Sequence, residues 1–147
     1  MTWSTSNSNV ASIHESDSSH AVIYGNSVGS ATITAQIANG KTLYCQVTVV
    51  DPISVYLDDI KYGSIYSDVY LTFVNNTNAK IVYVEFELFQ YNNMGDLLKS
   101  PYSYYYINND IYSHDKYSCY FWVNRDTKSV RYTIKEITFS DGRRWKP

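Results

Sequence analysis

The sequence predicts an all-β protein built as two consecutive antiparallel β-sandwiches. Three observations carry that expectation. Isoleucine and valine together number 25 against 12 for leucine and alanine, beside 16 tyrosines and 18 serines, which is a strand-forming composition. Apolar side chains recur with a period of two through most of the chain. No stretch of ten residues keeps a 3.6 period, and closely spaced strands without helices point to sandwiches.

Length and charge narrow the function classes. In 147 residues, 12 basic against 14 acidic side chains give a net charge of -2. No basic footprint for nucleic acid is present. With 44% hydrophobic and 18% charged residues, the chain carries enough apolar mass to fold. No apolar run approaches the roughly 18 residues of a membrane span, so no membrane insertion is expected. No charged-then-apolar leader opens the chain, so a secretion signal would lie outside this sequence.

The first segment is rich in Ser, Asn and Thr and holds only Tyr24 and Tyr44 of the tyrosines. Val10 to Ile13 and Ala21 to Tyr24 are short strand candidates, separated by the polar, turn-like stretch Glu15 to Ser19. Ala31, Ile33, Ala35 and Ile37 alternate with polar residues, and Leu43, Cys45, Val47 and Val49 do so again after Asn39-Gly40. Two alternating runs joined across Asn-Gly predict a hairpin. Asp51-Pro52 follows an apolar run, and proline cannot continue a sheet ladder. The domain boundary is placed there, giving domains 1–51 and 52–147, with a linker short enough to hold the two close together.

The second segment repeats the pattern with larger side chains. Val69, Leu71 and Phe73 alternate with Asp68, Tyr70 and Thr72, and Asn75 to Asn78 is a turn cluster. Lys80 to Tyr91 reads as one long strand with Val82, Val84, Phe86 and Leu88 toward the core and Glu85 and Glu87 toward water. Asn92 to Gly95 closes it, and Tyr102 to Ile107 and Tyr117 to Asn124 follow as strands. Val130, Tyr132 and Ile134 keep one phase while Ile137 and Phe139 keep the other. That flip at Lys135-Glu136 predicts a β-bulge. Asp141-Gly142 is a final tight turn.

Several residues carry a resemblance. Trp3-Ser4-Thr5-Ser6-Asn7, Val10-Ala11 with Ile13, Gly29 to Ala35, and Cys45-Gln46-Val47-Thr48-Val49 stand in an order that resembles the bacterial Ig-like group 2 domain of surface proteins. The resemblance covers Thr2 to Val50 and lacks that family's opening strands, so the first of the two Ig-like domains is read as truncated. An open strand edge of that kind can belong to a fragment, be covered by the following domain, or take a strand from a second chain to give a dimer. The fragment, packed on the second domain, is the favoured expectation. In the second segment, Asn75-Asn76-Thr77, Lys80 to Val84 and Phe86-Glu87-Leu88-Phe89-Gln90 with Gly95 resemble the FxLYD type of Ig-like accessory domain, with Phe89 and Gln90 in place of Tyr and Asp. Both resemblances imply sandwich modules of exported bacterial proteins without catalytic residues.

Clusters able to carry chemistry are sparse. His14, His20 and His114 lack metal-ligand spacing, so no metal or cofactor is expected. Cys45 and Cys119 read as buried thiols, with a bridge between the domains as the alternative. A relay of Cys119 with His114, calcium at Asp58-Asp59, Asn108 to Asp110 or Asp115, and glycoside cleavage by Glu85 with Glu87 each lose to solvated or buried structural roles. Lys128, Arg131, Lys135, Arg143, Arg144 and Lys146 make the C-terminal end basic and read as a solvated strand edge.

The suggestive feature is aromatic. Tyr102, Tyr104, Tyr106, Tyr120 and Trp122 are the candidate binding face. Exposed rings can stack on sugars or anchor protein contacts, and core packing is the competing reading. The expected function is a non-catalytic accessory, spacer and binding region of an extracellular or cell-surface bacterial protein, engaging a protein or a cell-envelope glycan. A carbohydrate-binding module serving a secreted enzyme is the alternative.

Overall fold

The computed structural model describes residues 1–100 and 103–147. It is all-β: twelve strands and no helix among the described residues, divided into compact units Met1–Asp51 and Pro52–Pro147. No helix is long and apolar enough to cross a membrane.

The first unit contains β1 (Thr2–Thr5), β2 (Ala11–Ser16), β3 (Ala21–Gly25), β4 (Gly29–Gln36) and β5 (Thr42–Val49). Sheet β1-β4-β5 faces the two-stranded sheet β2-β3. The β4–β5 hairpin pairs Gln36 with Thr42, and Gly40 takes the left-handed φ of 82° that its turn requires. Val10, Ala11 and Ala31 are buried between the sheets, with Ile23, Val47 and Val49 packed on them. These are mostly small side chains, and Ile33 and Ala35 continue the buried row along β4. Leu43 and Cys45 share that side of the sheet with Ala35 and Ile33, their cross-strand partners, yet both are exposed. The buried-thiol expectation therefore fails for Cys45, which stands on edge strand β5 while its partner Ile33 on central strand β4 is buried.

The second unit contains β6 (Ile53–Lys61), β7 (Tyr66–Asn75), β8 (Ile81–Tyr91), β9 (Tyr104–Ile107), β10 (Lys116–Asn124), β11 (Ser129–Phe139) and β12 (Arg144–Trp145). Sheets β10-β7-β6 and β12-β11-β8-β9 enclose one core. From one side come Ile53, Val69, Leu71, Phe73 and Val123; from the other come Ile81, Val84, Phe86, Leu88, Ile134 and Ile137. Phe73 and Phe86 meet across the layers at 5.1 Å, and Phe121 meets Phe86 edge-on at 5.2 Å.

Irregularities in the ladders explain where simple alternation breaks. The register shift between Ile134 and Glu136 is the bulge that the phase flip predicts. A second shift at Thr138/Phe139 makes Val82 the extra residue, so Ile81, and not Val82, fills the core. A third, between Leu57 and Asp59, interrupts β6, which alternation alone had not shown as a strand. The turn after β7 is built on Asn75, which is fully buried. Its amide donates to the carbonyls of Ala79, Ile111 and Tyr112, and its oxygen accepts from the Thr77 N–H and hydroxyl.

Candidate functional site

Strand alternation decides which rings reach solvent. On β10, Cys119, Phe121 and Val123 turn into the core, so Tyr120 and Trp122 point outward. On β7, Val69, Leu71 and Phe73 are buried, so Tyr66, Asp68, Tyr70 and Thr72 point outward. The ladders set these side by side. Trp122 lies opposite Asp68, Tyr120 opposite Tyr70, and Asn124 opposite Tyr66. On the other flank, Lys61 lies opposite Asp68 and Asp59 opposite Tyr70.

The result is a face of paired rings with polar groups between them. Tyr66 and Trp122 lie nearly parallel, 6.3 Å between centroids and 17° between planes. They are 61% and 67% exposed. Tyr70 and Tyr120 are 5.6 Å apart, and the Lys61 ammonium sits 4.6 Å from the Tyr70 ring centre. Farther along, the Thr72 hydroxyl donates to Asp58 at 2.6 Å and lies 2.7 Å from the Ser118 hydroxyl.

Beside Tyr66 and Trp122 opens a groove of about 760 Å³, within the usual size of small-molecule sites. Ile65 and Tyr66 line one side; Trp122, Asn124, Arg125 and Asp126 line the other. The second wall is fixed from beneath by buried polar groups. Gln90 Oε1 accepts from the Asn124 N–H at 2.8 Å and from the Thr127 hydroxyl at 3.2 Å. The Ser67 hydroxyl donates to the Arg125 carbonyl at 3.0 Å, and the Tyr105 hydroxyl donates to the Trp122 carbonyl at 2.9 Å. Among the described residues, Gln90 Nε2 alone is a buried side-chain polar atom with no hydrogen-bond partner. The first wall depends on Gly63, where an added Cβ would fall 2.1 Å from the Tyr66 carbonyl oxygen. Outside the groove, the Lys128 ammonium lies 3.7 Å from the Tyr62 ring centre.

The structure does not gather the five candidate residues on one face. Tyr120 and Trp122 belong to the face just described. Tyr104 and Tyr106 flank inward-facing Tyr105 on β9, so they project from the outer side of the opposite sheet. The reason is that β9 pairs with β8 and β10 pairs with β7, so strands close in sequence enter different layers. Tyr102 lies outside the described residues. Tyr66, Tyr70, Ile65 and the turn at Asn124 to Asp126 were not among the candidates. Their only signal was Tyr66, Asp68, Tyr70 and Thr72 at every second position.

The Tyr104–Tyr106 face is ion-paired. The Lys135 ammonium lies 2.9 Å from Glu87, and that pairing raises the lysine above its ordinary range. Glu87 is therefore held in an ion pair, its side chain 16% exposed, instead of standing free in water as alternation had suggested. Arg144 and Lys146 converge on Glu136, and Arg143 on Asp141. Much of the basic C-terminal end is thus locally neutralised.

The other candidate chemistries find no arrangement to support them. Burial pushes the Cys119 thiol up to about 11, the reverse of what an attacking thiolate needs. The His114 ring is hydrogen-bonded to the Asn78 side chain at 2.8 Å. Asp110 is paired with Lys80 at 2.8 Å, and among the described residues no three His, Cys, Asp or Glu side chains cluster to hold a metal.

No family model and no curated protein matches the chain. Among solved structures it is similar to a DUF1425 family member from Shewanella sp. pv-4. The TM-score is 0.46 at 6% identity, over 71% of this chain and 88% of that one. A likeness at that level leaves function to be read from the site.

Proposed function

We propose that this chain is a non-catalytic binding region of an exported or cell-surface bacterial protein, and that it recognises its ligand on the outer face of sheet β10-β7-β6. The observation that carries the reading is the exposed Tyr66–Trp122 pair at the mouth of a groove whose far wall is fixed by buried Gln90, Thr127 and Ser67. Rings that reach solvent on a rigid sheet need no reordering when a ligand arrives, which lowers the entropy cost of binding. The accessory role is supported by the elements resembling a bacterial Ig-like group 2 module in the first unit and an FxLYD-type module in the second. Stiff sandwiches of this sort would act as spacers that hold the recognising face away from the envelope.

The test is co-sedimentation of the purified chain with bacterial cell-wall material, run beside Trp122→Ala and Tyr66→Ala. Retention by the parent chain and its loss in both variants supports the reading. Retention that neither variant changes would remove the site, and no retention on any envelope fraction would remove the function.

A further inference from the structure

Resting on that reading, we infer that the ligand of the β10-β7-β6 face is an uncharged polysaccharide of flat pyranose rings. Three features of the face separate this ligand from others.

The first is the spacing of aromatic and polar groups. Trp122 is followed across the sheet by Asp68 and Lys61, and Tyr120 by Tyr70 and Asp59. Each ring surface therefore has hydrogen-bonding neighbours within one strand spacing, about 5 Å. A protein-protein hot spot is different: its centre is depleted of charged residues and its rings close into a dry patch. A pyranose is amphipathic on the scale of one ring, with C–H groups on its faces and hydroxyls around its edge. Its faces suit Tyr66, Trp122 and Tyr120, and its hydroxyls suit Asp68, Asn124, Arg125 and Lys61, which lies over the Tyr70 ring.

The second feature is charge. Asp58, Asp59, Asp68 and Asp126 stand against Lys61, Lys116 and Arg125 on this side of the unit. Arg125 lies 3.7 Å from Asp126, and Lys61 faces Asp68 across the ladder. The balance offers no field to a polyanion or a polycation. A neutral chain meets matched donors and acceptors there and displaces no strong ion pair.

The third feature is extent. Trp122 and Tyr120 are two residues apart on one strand, about 7 Å along it. Tyr66 and Tyr70 extend the second row on the neighbouring strand, so the face is longer than one sugar. The groove at Asn124 to Asp126 adds walls at one end. This arrangement fits several consecutive rings of a polymer better than a free monosaccharide.

The experiment is affinity electrophoresis through gels containing hydroxyethylcellulose, xylan, galactomannan or, as an anionic control, polygalacturonate, with thermal unfolding of every variant. The expected result is retardation by at least one neutral polymer, unchanged between low and high salt because no counterions are released. Trp122→Ala and Tyr66→Ala each weaken it about tenfold, the scale of one lost ring contact. Trp122→Tyr retains most of it, and Tyr104→Ala and Tyr106→Ala, on the opposite face, leave it unchanged. Retardation by polygalacturonate alone, or a marked loss with salt, would overturn the neutral-polysaccharide assignment. Loss in the Tyr104 or Tyr106 variants but not in the Trp122 variant would overturn the site. If no polysaccharide retards the chain while cell-wall protein fractions still bind it in a Trp122-dependent way, the ligand class falls and the binding face stands. If neither binds, both fall.

Discussion

The first unit buries only Val10, Ala11, Ala31, Ile33 and Ala35, whereas the second encloses a core of 14 buried residues that include Phe73, Phe86 and Phe139. Both are antiparallel sheets with period-two alternation, so the backbone plan is shared. The difference lies in side-chain volume. Alanine-rich layers bury little apolar area per residue, and a unit of 51 residues starts with an unfavourable surface-to-volume ratio. The exposed Leu43 and Cys45 are the visible result. Where large rings interdigitate, as at Phe73, Phe86, Phe121 and Tyr105, the core is full and the outer face is held rigidly enough to carry a site.

The sharpest way to break that comparison is to cut into each core. Phe86→Ala should cost the second unit about 4 kcal/mol, read as a shift of its denaturant midpoint, because it leaves a cavity among three rings. Val10→Ala in the first unit should cost only about 1.5 kcal/mol, the transfer value of two methyl groups. A Val10→Ala loss well above that transfer value would add a cavity cost and show that the smaller core is packed as tightly as the larger.

Next in size is Asn75→Ala, expected to cost about 3 kcal/mol. It would leave the Thr77 N–H without its acceptor and the carbonyls of Ile111 and Ala79 with one donor each, the Ile81 N–H and the Thr77 hydroxyl. Protection of the Ile111 and Thr77 amides from hydrogen exchange should fall with it; unchanged exchange would mean that the turn holds without its asparagine.

A smaller, pH-dependent effect belongs to the first unit. Asp17 closes the β2–β3 turn by accepting backbone hydrogen bonds from Ser19 and His20, which lower its carboxyl from the ordinary 3.8 to about 2. A depressed folded value means that the stabilisation is present above pH 3.8 and disappears as pH falls through about 2. Asp17→Asn should therefore lower the melting temperature of the first unit at neutral pH, and the gap from the parent should close in that acid window. A gap that persists below pH 2 would assign the effect to shape and not to charge.

The smallest perturbation is chemical labelling without mutation. Cys45 is exposed, whereas Cys119 is half-buried with its thiol raised to about 11. Iodoacetamide at neutral pH should modify Cys45 first and Cys119 only on unfolding. Comparable rates at both sites would contradict the burial difference between the two units.

Part of this was legible before any coordinates. Alternation places Val69, Leu71 and Phe73 on one side of β7 and Tyr70 and Thr72 on the other, and the phase flip at Lys135-Glu136 marks its bulge. The site was only half legible. Tyr120 and Trp122 were visible as exposed-ring candidates, but their partners Tyr66 and Tyr70 lie some fifty residues earlier and meet them only through the β7–β10 ladder. Tyr104 and Tyr106 looked like members of the same cluster because they are near in sequence.

What the sequence determined by itself is local: which residues extend into strands, where turns fall at Asn39-Gly40 and Asp141-Gly142, and which side chains share one side of a strand. The tertiary structure decided which strands pair, which sheet each ring belongs to, and that Leu43 and Cys45 stay uncovered. The physical reason is that side-chain alternation follows from the geometry of adjacent residues, whereas pairing and cover depend on contacts between residues far apart in the chain.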